Sequence, residues 1–546
     1  MPMTPTKLMV RVKTNAKGPA TRDGEASGDN ESIMFVEKEA EEINPWDEAH
    51  HVVHDNPEFT FAEPDLDSSE EFYRGYEEIT EKAEVTADSY LQFIDYWPHP
   101  EKSSIWHLGK DFSQLKDARD AIKNLPKKNV VRIAHFDTGY DKDHISFPKQ
   151  IIRKDLERNF VDGEEDRWNN AEDLFSDGKL KMPGHGTGTL SILAGAKVAI
   201  DACGFDDFIG LHDSIEIVPI RLAKSVVLFK SGAFVKALDY VVNELYNDEN
   251  KRVHVVTMSM GGLASRAWAD MVNAAYEKGI FIVTAAGNNF KKLPTRTMVF
   301  PARFNRVVAA CGVTADLSPY SKPSGEGSFS IMEGNYGPRS LMKTAVAAFT
   351  PNVPWATYRF DKVVGIRGDG TSSATPQVAS AAALYYIKHY EKLEALPEPW
   401  MRVEAIRHAL FSSAQKTITD RDGDYEMFYG NGILKANDML NVEVPAPEKL
   451  VKQEEDKVSF PFIKMILGLK GLSPEEDAEE EMLETELMQL VLTDEHMQYL
   501  LNDEEKRLED LSTEEKKLLA EFVINNEKAS QKLKEKMELL LVQLSI

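Results

Sequence analysis

Short apolar, β-branched runs recur through the middle of the chain, each halting at a polar turn. Val130-Val-Arg-Ile-Ala-His-Phe136 stops at Asp137-Thr138-Gly139; Ser214–Ile220, His254–Ser259, Ile280–Thr284 and Arg306–Ala310 follow it. Between them lie stretches with helical spacing, notably Gly232 to Leu245 and Trp268 to Lys278. Continuous apolar strands alternating with helices predict an α/β fold of three layers, a mostly parallel sheet covered on both faces. Function in such sheets gathers beyond the carboxyl ends of the strands. Asp137, Ser259 and Asn288 fall at or just past such ends.

The two ends of the chain have a different rhythm. Residues 1–105 read as a small α+β unit. Leu8 to Val12 is a candidate strand, Asn44-Pro45-Trp46 a capped helix start, and Phe59 to Asp65 a strand that stops at proline. Lys17 to Asn30 reads as a mobile polar segment, and Asp67 to Glu84 as an acidic linker or surface helix. The central unit is placed at 106–442. Pro445 and Pro447 then open a helical, acidic region over 443–546. Helix starts are expected at Ser473-Pro474, at Asn502 with Glu505, and at Ser512 with Glu515. Leu518, Phe522, Leu533, Met537, Leu540 and Leu544 supply apolar stripes, for a passive bundle or for a protein partner or self-association.

Composition narrows the function classes. The 546 residues carry a formal net charge of -26, which disfavours nucleic acid and anionic membranes as partners. The two cysteines, Cys203 and Cys311, offer neither a disulfide framework nor zinc spacing and read as spectator thiols. The apolar stretch Leu8-Met9-Val10 is too short for a signal peptide, and no later run is long enough to span a bilayer, so a cytoplasmic location is expected.

Three motifs carry chemistry. Asp137 ends a buried strand. His185 lies in Gly184-His185-Gly186-Thr187-Gly188-Thr189, just before an apolar run. Ser372 lies in Gly370-Thr371-Ser372-Ser373-Ala374-Thr375-Pro376, where a tight turn feeds an alanine-rich helix with a proline in its first turn. In the order Asp, His, Ser with glycine-lined flanks, they resemble the subtilisin-type serine proteases, the subtilases (peptidase family S8). The resemblance covers roughly 106–442. Ala285-Ala-Gly-Asn288 is similar to the family's oxyanion segment, Ser259-Met260-Gly261-Gly262 to its substrate-pairing strand, and Phe428 to Leu434 to its closing signature. Two departures stand out. Gly188 replaces a second histidine of the histidine motif, and Gln377 replaces the histidine that usually follows the proline of the serine motif.

The resemblance implies a serine endopeptidase with Asp137, His185 and Ser372 as triad and Asn288 as oxyanion donor. Residues 259–262 would bind an extended protein or peptide substrate. It also implies that the N-terminal unit is a propeptide-like inhibitor, with a retained accessory domain as the alternative. No cofactor is expected beyond calcium, for which Asp201, Asp206, Asp207 and Asp420-Arg-Asp422-Gly423-Asp424 are the candidates. The acidic insert Asp162 to Asp166 is a solvated loop or a selector of basic substrates. A scaffold acting through its C-terminal helices and a transpeptidase using the same triad are the rival readings. An α/β-hydrolase is disfavoured, because Ala374 stands where its nucleophile motif needs glycine and the order Asp, His, Ser is wrong for it.

Overall fold

The computed structural model describes residues 6–13, 31–38, 44–65, 91–99, 105–125, 130–174, 182–200, 205–211, 215–228, 231–290, 295–321, 331–358, 360–416, 425–458, 474–494, 496–498, 500 and 511–545. Three antiparallel strands open the chain: β1 (Thr6–Lys13), β2 (Glu31–Lys38) and β3 (Phe59–Pro64), with β1 in the middle. The sequence reading anticipated β1 and β3 but not β2, which forms a hairpin with β1. Helix α1 (Pro45–Asp55) starts as its sequence demands. Asn44 accepts the Trp46 N–H at 2.9 Å, and Pro45 occupies a position whose N–H would lack a helical partner anyway. Trp46, Ala49 and Val52 bury their side chains against Leu8, Val10 and Phe61.

The frame of the molecule is a seven-stranded parallel sheet. Its strands are β4 (Val131–Asp137), β5 (Arg158–Asn159), β6 (Ile215–Arg221), β7 (Val255–Met258), β8 (Phe281–Ala285), β9 (Val308–Val313) and β10 (Ala345–Phe349). They run in the order β10-β9-β8-β7-β4-β6-β5. The chain passes from β6 on one side of β4 to β7 on the other, so a crevice opens at the carboxyl end of β4.

Alternation along β4 divides the core. Ala134 and Phe136 face the layer that includes α3 (Gly232–Asp239) and α4 (Arg266–Glu277). Val131 and Ile133 face the opposite layer. There they meet α2 (His185–Ala194), the nineteen-residue α5 (Gly370–Lys388) and the helix Trp400–Ser413. Three layers with a parallel sheet between them is the architecture expected from the pattern.

The C-terminal helices α6 (Pro474–Thr493), α7 (Thr513–Asn525) and α8 (Gln531–Leu544) close the structure. Ser512 and Glu515 form the capping box their spacing predicts. Helix α6 begins at Pro474, as the Ser473-Pro474 pair predicts, while Ser473 itself and the expected start at Asn502 with Glu505 lie outside the described residues, as do the stretches 17–30 and 67–84. Of the apolar stripe, Leu533, Met537 and Leu540 are buried, while Leu518 is exposed.

These helices pack on their own chain. Leu483, Leu487 and Val491 of α6 join one apolar cluster with Met9 and with Trp268 and Met271 of α4. Gln489 accepts from Trp46 Nε1 at 3.1 Å and donates to the Ala264 carbonyl at 2.8 Å, bridging α1 to the loop before α4. Glu486 caps α8 by accepting from the Ser530 N–H and hydroxyl. The N-terminal unit is fixed independently by two carboxylates at the end of β3. Glu63 accepts from the Ser265 hydroxyl (2.8 Å), the Arg266 N–H (3.1 Å) and the Ala267 N–H (2.8 Å) at the start of α4. Asp65 accepts from the Gly232 N–H at 3.0 Å and so caps α3.

Candidate active site

Asp137 is the last residue of β4 and is fully buried. His185, the first residue of α2, presents Nδ1 to Asp137 Oδ1 at 2.7 Å. The same oxygen accepts the Thr138 N–H at 2.7 Å, and Oδ2 accepts the Thr189 hydroxyl at 2.9 Å. Burial pushes the Asp137 carboxyl up. The charge and hydrogen bond of His185, with help from His135 and the Thr138 N–H, outweigh it and hold the group below the usual carboxylate range. Thr138 stitches the two motifs together, because its hydroxyl accepts from the Gly186 N–H and donates to Asp173. Asp173 in turn accepts the Gly184 N–H at 2.7 Å. Burial raises the Asp173 carboxyl to about 6.

The two departures from the family pattern have physical reasons. A Cβ on Gly188 would lie 1.9 Å from the Trp355 ring, so that indole fills the space a second histidine would take. Trp355 also stands edge-on to His185, with ring centroids 5.5 Å apart. Gln377 donates to the carbonyls of Phe349 and Ser373, which fastens α5 to the end of β10. Both positions serve packing.

Ser372 is the third residue of α5, so its N–H belongs to the helix's unpaired first turn. Pro376 therefore falls in the second turn, and not in the first as the sequence suggested. It cannot donate the N–H that would otherwise reach the Ser372 carbonyl. The Ser259 hydroxyl makes that bond instead, at 3.0 Å, and the Ser372 hydroxyl donates back to the Ser259 carbonyl at 3.3 Å. Asn288 Oδ1 accepts the Thr371 N–H at 2.8 Å and the Thr371 hydroxyl at 3.2 Å. That fixes the amide by its oxygen at the start of α5. Gly370 turns the chain into α5 at φ +72°, and a Cβ there would lie 3.0 Å from Asn288 Nδ2.

Residues 259–262 run past Ser372, but their edges are already paired. Gly261–Gly262 pairs in parallel with Val227–Leu228, and Gly262 exchanges bonds with Phe300. A peptide adding to this strand has to displace one of them. The segment 91–99 adds a further wall. Trp97 packs against Tyr320 with the rings tilted and centroids 4.6 Å apart, and Tyr96 and Asp369 are electrostatic neighbours. Burial raises the Asp369 carboxyl to about 6, against the pull of Arg367 and His185. His135, Thr189, Trp355 and Asp369 escaped the sequence reading. A signal existed for the first two, which stand at i−2 from Asp137 and i+4 from His185 and so share their faces of strand and helix.

The weaker candidates come out differently. Glu165 and Asp166 of the acidic insert are exposed, as a solvated loop predicts, but Glu164 turns inward, 3.1 Å from the buried Arg221 and 3.2 Å from Lys224. Asp207 pairs with Arg119 and Lys116, and Asp206 with Lys197. Asp201, Asp420, Asp422, Asp424 and Cys203 lie outside the described residues. Burial pushes the Cys311 thiol up to about 12, which keeps it protonated and unreactive. Among the described residues no helix is long and apolar enough to cross a membrane.

A family model described as the subtilase family matches residues 128–432, which include every residue named above for the triad, the oxyanion site and the substrate strand. Subtilisin DY of Bacillus licheniformis is 26% identical over 264 residues, covering 48% of this chain and 77% of that protein. Subtilisin E of Bacillus subtilis is 25% identical over 316 residues, 57% of this chain and 70% of that one. Among solved structures, the prenylagaramide maturation protease PagA is similar at 21% identity and a TM-score of 0.41, covering 62% of this chain and 99% of that one.

Proposed function

The chain belongs to the subtilase family, a family of serine peptidases, and on that premise we propose that it is an endopeptidase working through an acyl-enzyme on Ser372. His185 takes the Ser372 proton as the hydroxyl attacks and later returns it to the leaving amine. Asp137 holds the imidazole with its hydrogen on Nδ1 and stabilises the imidazolium. Asn288 Nδ2 and the Ser372 N–H receive the oxyanion. The observation that carries the reading is the 2.7 Å bond from His185 Nδ1 to a buried, ionised Asp137. The substrate is a protein or peptide. To test it, the protein and its Ser372→Ala variant are treated with a fluorophosphonate probe and, separately, incubated with a cell lysate. The parent should label at Ser372 and generate new peptide termini. Labelling retained by a folded Ser372→Ala variant overturns the assignment.

A restrained form of the same enzyme is favoured by the occupied edges of Gly261–Gly262. The N-terminal unit, seated on α3 and α4 through Asp65 and Glu63, lies upstream of the segment that reaches the Asp369 turn. In this reading residues 1 to about 100 restrain activity until displaced or cut. A chain beginning near Trp97 should then cleave peptides faster than full length, and the N-terminal fragment added back should slow it. A folded truncation that is no faster and ignores the fragment makes the unit an accessory domain.

A further inference from the structure

Two buried polar side chains beside the triad take no part in the proton transfers above. His135 is 3% exposed and Thr189 1%. Each stands where a parallel strand and its covering helix otherwise place apolar groups, and burying a polar group costs free energy unless it is hydrogen-bonded. His135 shares the face of β4 that carries Asp137, and Thr189 the face of α2 that carries His185.

The hydrogen count fixes the direction of their bonds. The Thr189 hydroxyl has three polar neighbours: Asp137 Oδ2 at 2.9 Å, the Gly186 carbonyl at 3.2 Å and His135 Nε2 at 2.8 Å. An ionised carboxylate and a carbonyl only accept, so the single hydroxyl proton goes to that side. His135 must then donate from Nε2 to the Thr189 oxygen. Nε2 therefore carries a hydrogen, which in a neutral ring fixes the tautomer. Burial supplies the neutrality, lowering the ring to about 4 against the attraction of Asp137. The direct separation from His135 Nε2 to Asp137 Oδ2 is 3.9 Å, too long for a hydrogen bond, so the hydroxyl is the link.

We propose that Thr189 and His135 are positioning residues, a chain of two donors that fixes the outer oxygen of Asp137 and governs the charge its inner oxygen presents to His185. The proposal rests on the triad assignment. With Oδ2 held, the carboxylate keeps its plane toward the imidazole, and part of its charge is drawn away from Oδ1. Without the donor, charge concentrates on Oδ1 and binds the imidazolium more tightly, so a more basic solution is needed to free the ring as a base.

The test uses the full chain with Thr189→Val, which keeps the shape and removes the hydroxyl. Its kcat should fall about tenfold with KM unchanged, the loss of one hydrogen bond to a charged group. The acid limb of its kcat/KM profile should move to higher pH, and the low-field proton on His185 Nδ1 should resonate further downfield. His135→Leu should shift the proton signal the same way, and Thr189→Ser should restore all three readouts. An unchanged proton signal and acid limb in Thr189→Val overturn the proposal. So does a Thr189→Ser variant as impaired as Thr189→Val, which would make the site one of packing. A parent whose Ser372 takes no fluorophosphonate removes the peptidase reading, while the proton signal, needing no turnover, still decides the relay.

Discussion

Asp137 and Glu63 are both carboxylates sealed from water, each accepting several hydrogen bonds, and they titrate in opposite directions. Glu63 is driven by burial to about 7, although Ala267, Ser265 and Arg266 all donate to it, and Asp270 nearby pushes the same way as burial. Asp137 is pushed up by burial too, yet ends below the usual range because His185 can carry a positive charge against it. Neutral donors satisfy a buried carboxylate without making it a strong acid; a chargeable partner does both. One molecule thus holds a buried carboxylate kept ionised and another whose charge is conditional on pH.

Removing the charge from the first has the largest expected effect. Asp137→Asn should lower kcat by about four orders of magnitude with the fold intact, the size known for this change in trypsin-like triads. A single-turnover assay beside a melting curve checks it. Glu63→Ala comes next. It strands three donors at the start of α4, at about 1–3 kcal/mol for a buried unsatisfied group, and should loosen the N-terminal unit with little change at the triad. Urea unfolding and limited proteolysis of residues 1–65 read that loss.

The comparison sharpens with pH. The folded value of Glu63 lies above its unfolded one, so its contribution to docking is complete below about 4.5 and is lost as pH rises to about 7. Hydrogen exchange across β1 and β3 should therefore accelerate over that window, and Glu63→Gln should flatten the slope. The smallest effect is expected at Asp369. Its ionisation near 6 places a second negative charge close to His185, so Asp369→Asn should move the acid limb of activity modestly to lower pH. An unmoved limb would mean the turn is screened from the imidazole.

The three residues proposed as the triad were legible as candidates because each sits in a local motif: strand then Asp-Thr-Gly, Gly-His-Gly before a helix, Gly-Thr-Ser before another. The sheet was legible from its β-branched runs, except for two edge strands: β5, whose Arg158–Asn159 holds no apolar residue, and β10, where Ala345-Val-Ala-Ala-Phe349 has the composition of a helix and only its place beside β9 makes it a strand. Contacts between distant segments left no local trace. Glu63 and Ser265 are 202 residues apart, and nothing in either neighbourhood names the other. The pairing of Val227–Leu228 with Gly261–Gly262 was hidden for the same reason. His135 and Thr189 were readable in principle, as polar letters at strand and helix spacing from Asp137 and His185.

The missing N–H at Pro376 has a mechanical consequence. Where an ordinary helix would bind the carbonyl of its third residue to its own next turn, α5 is riveted there to Ser259 in both directions. Ser372, the proposed nucleophile, therefore rides on two elements at once, the helix that carries it and the segment proposed to receive a peptide. A tug on residues 259–262 as an occupant leaves or arrives is passed to Ser372 through these two short serine hydroxyls, which have little length in which to absorb it.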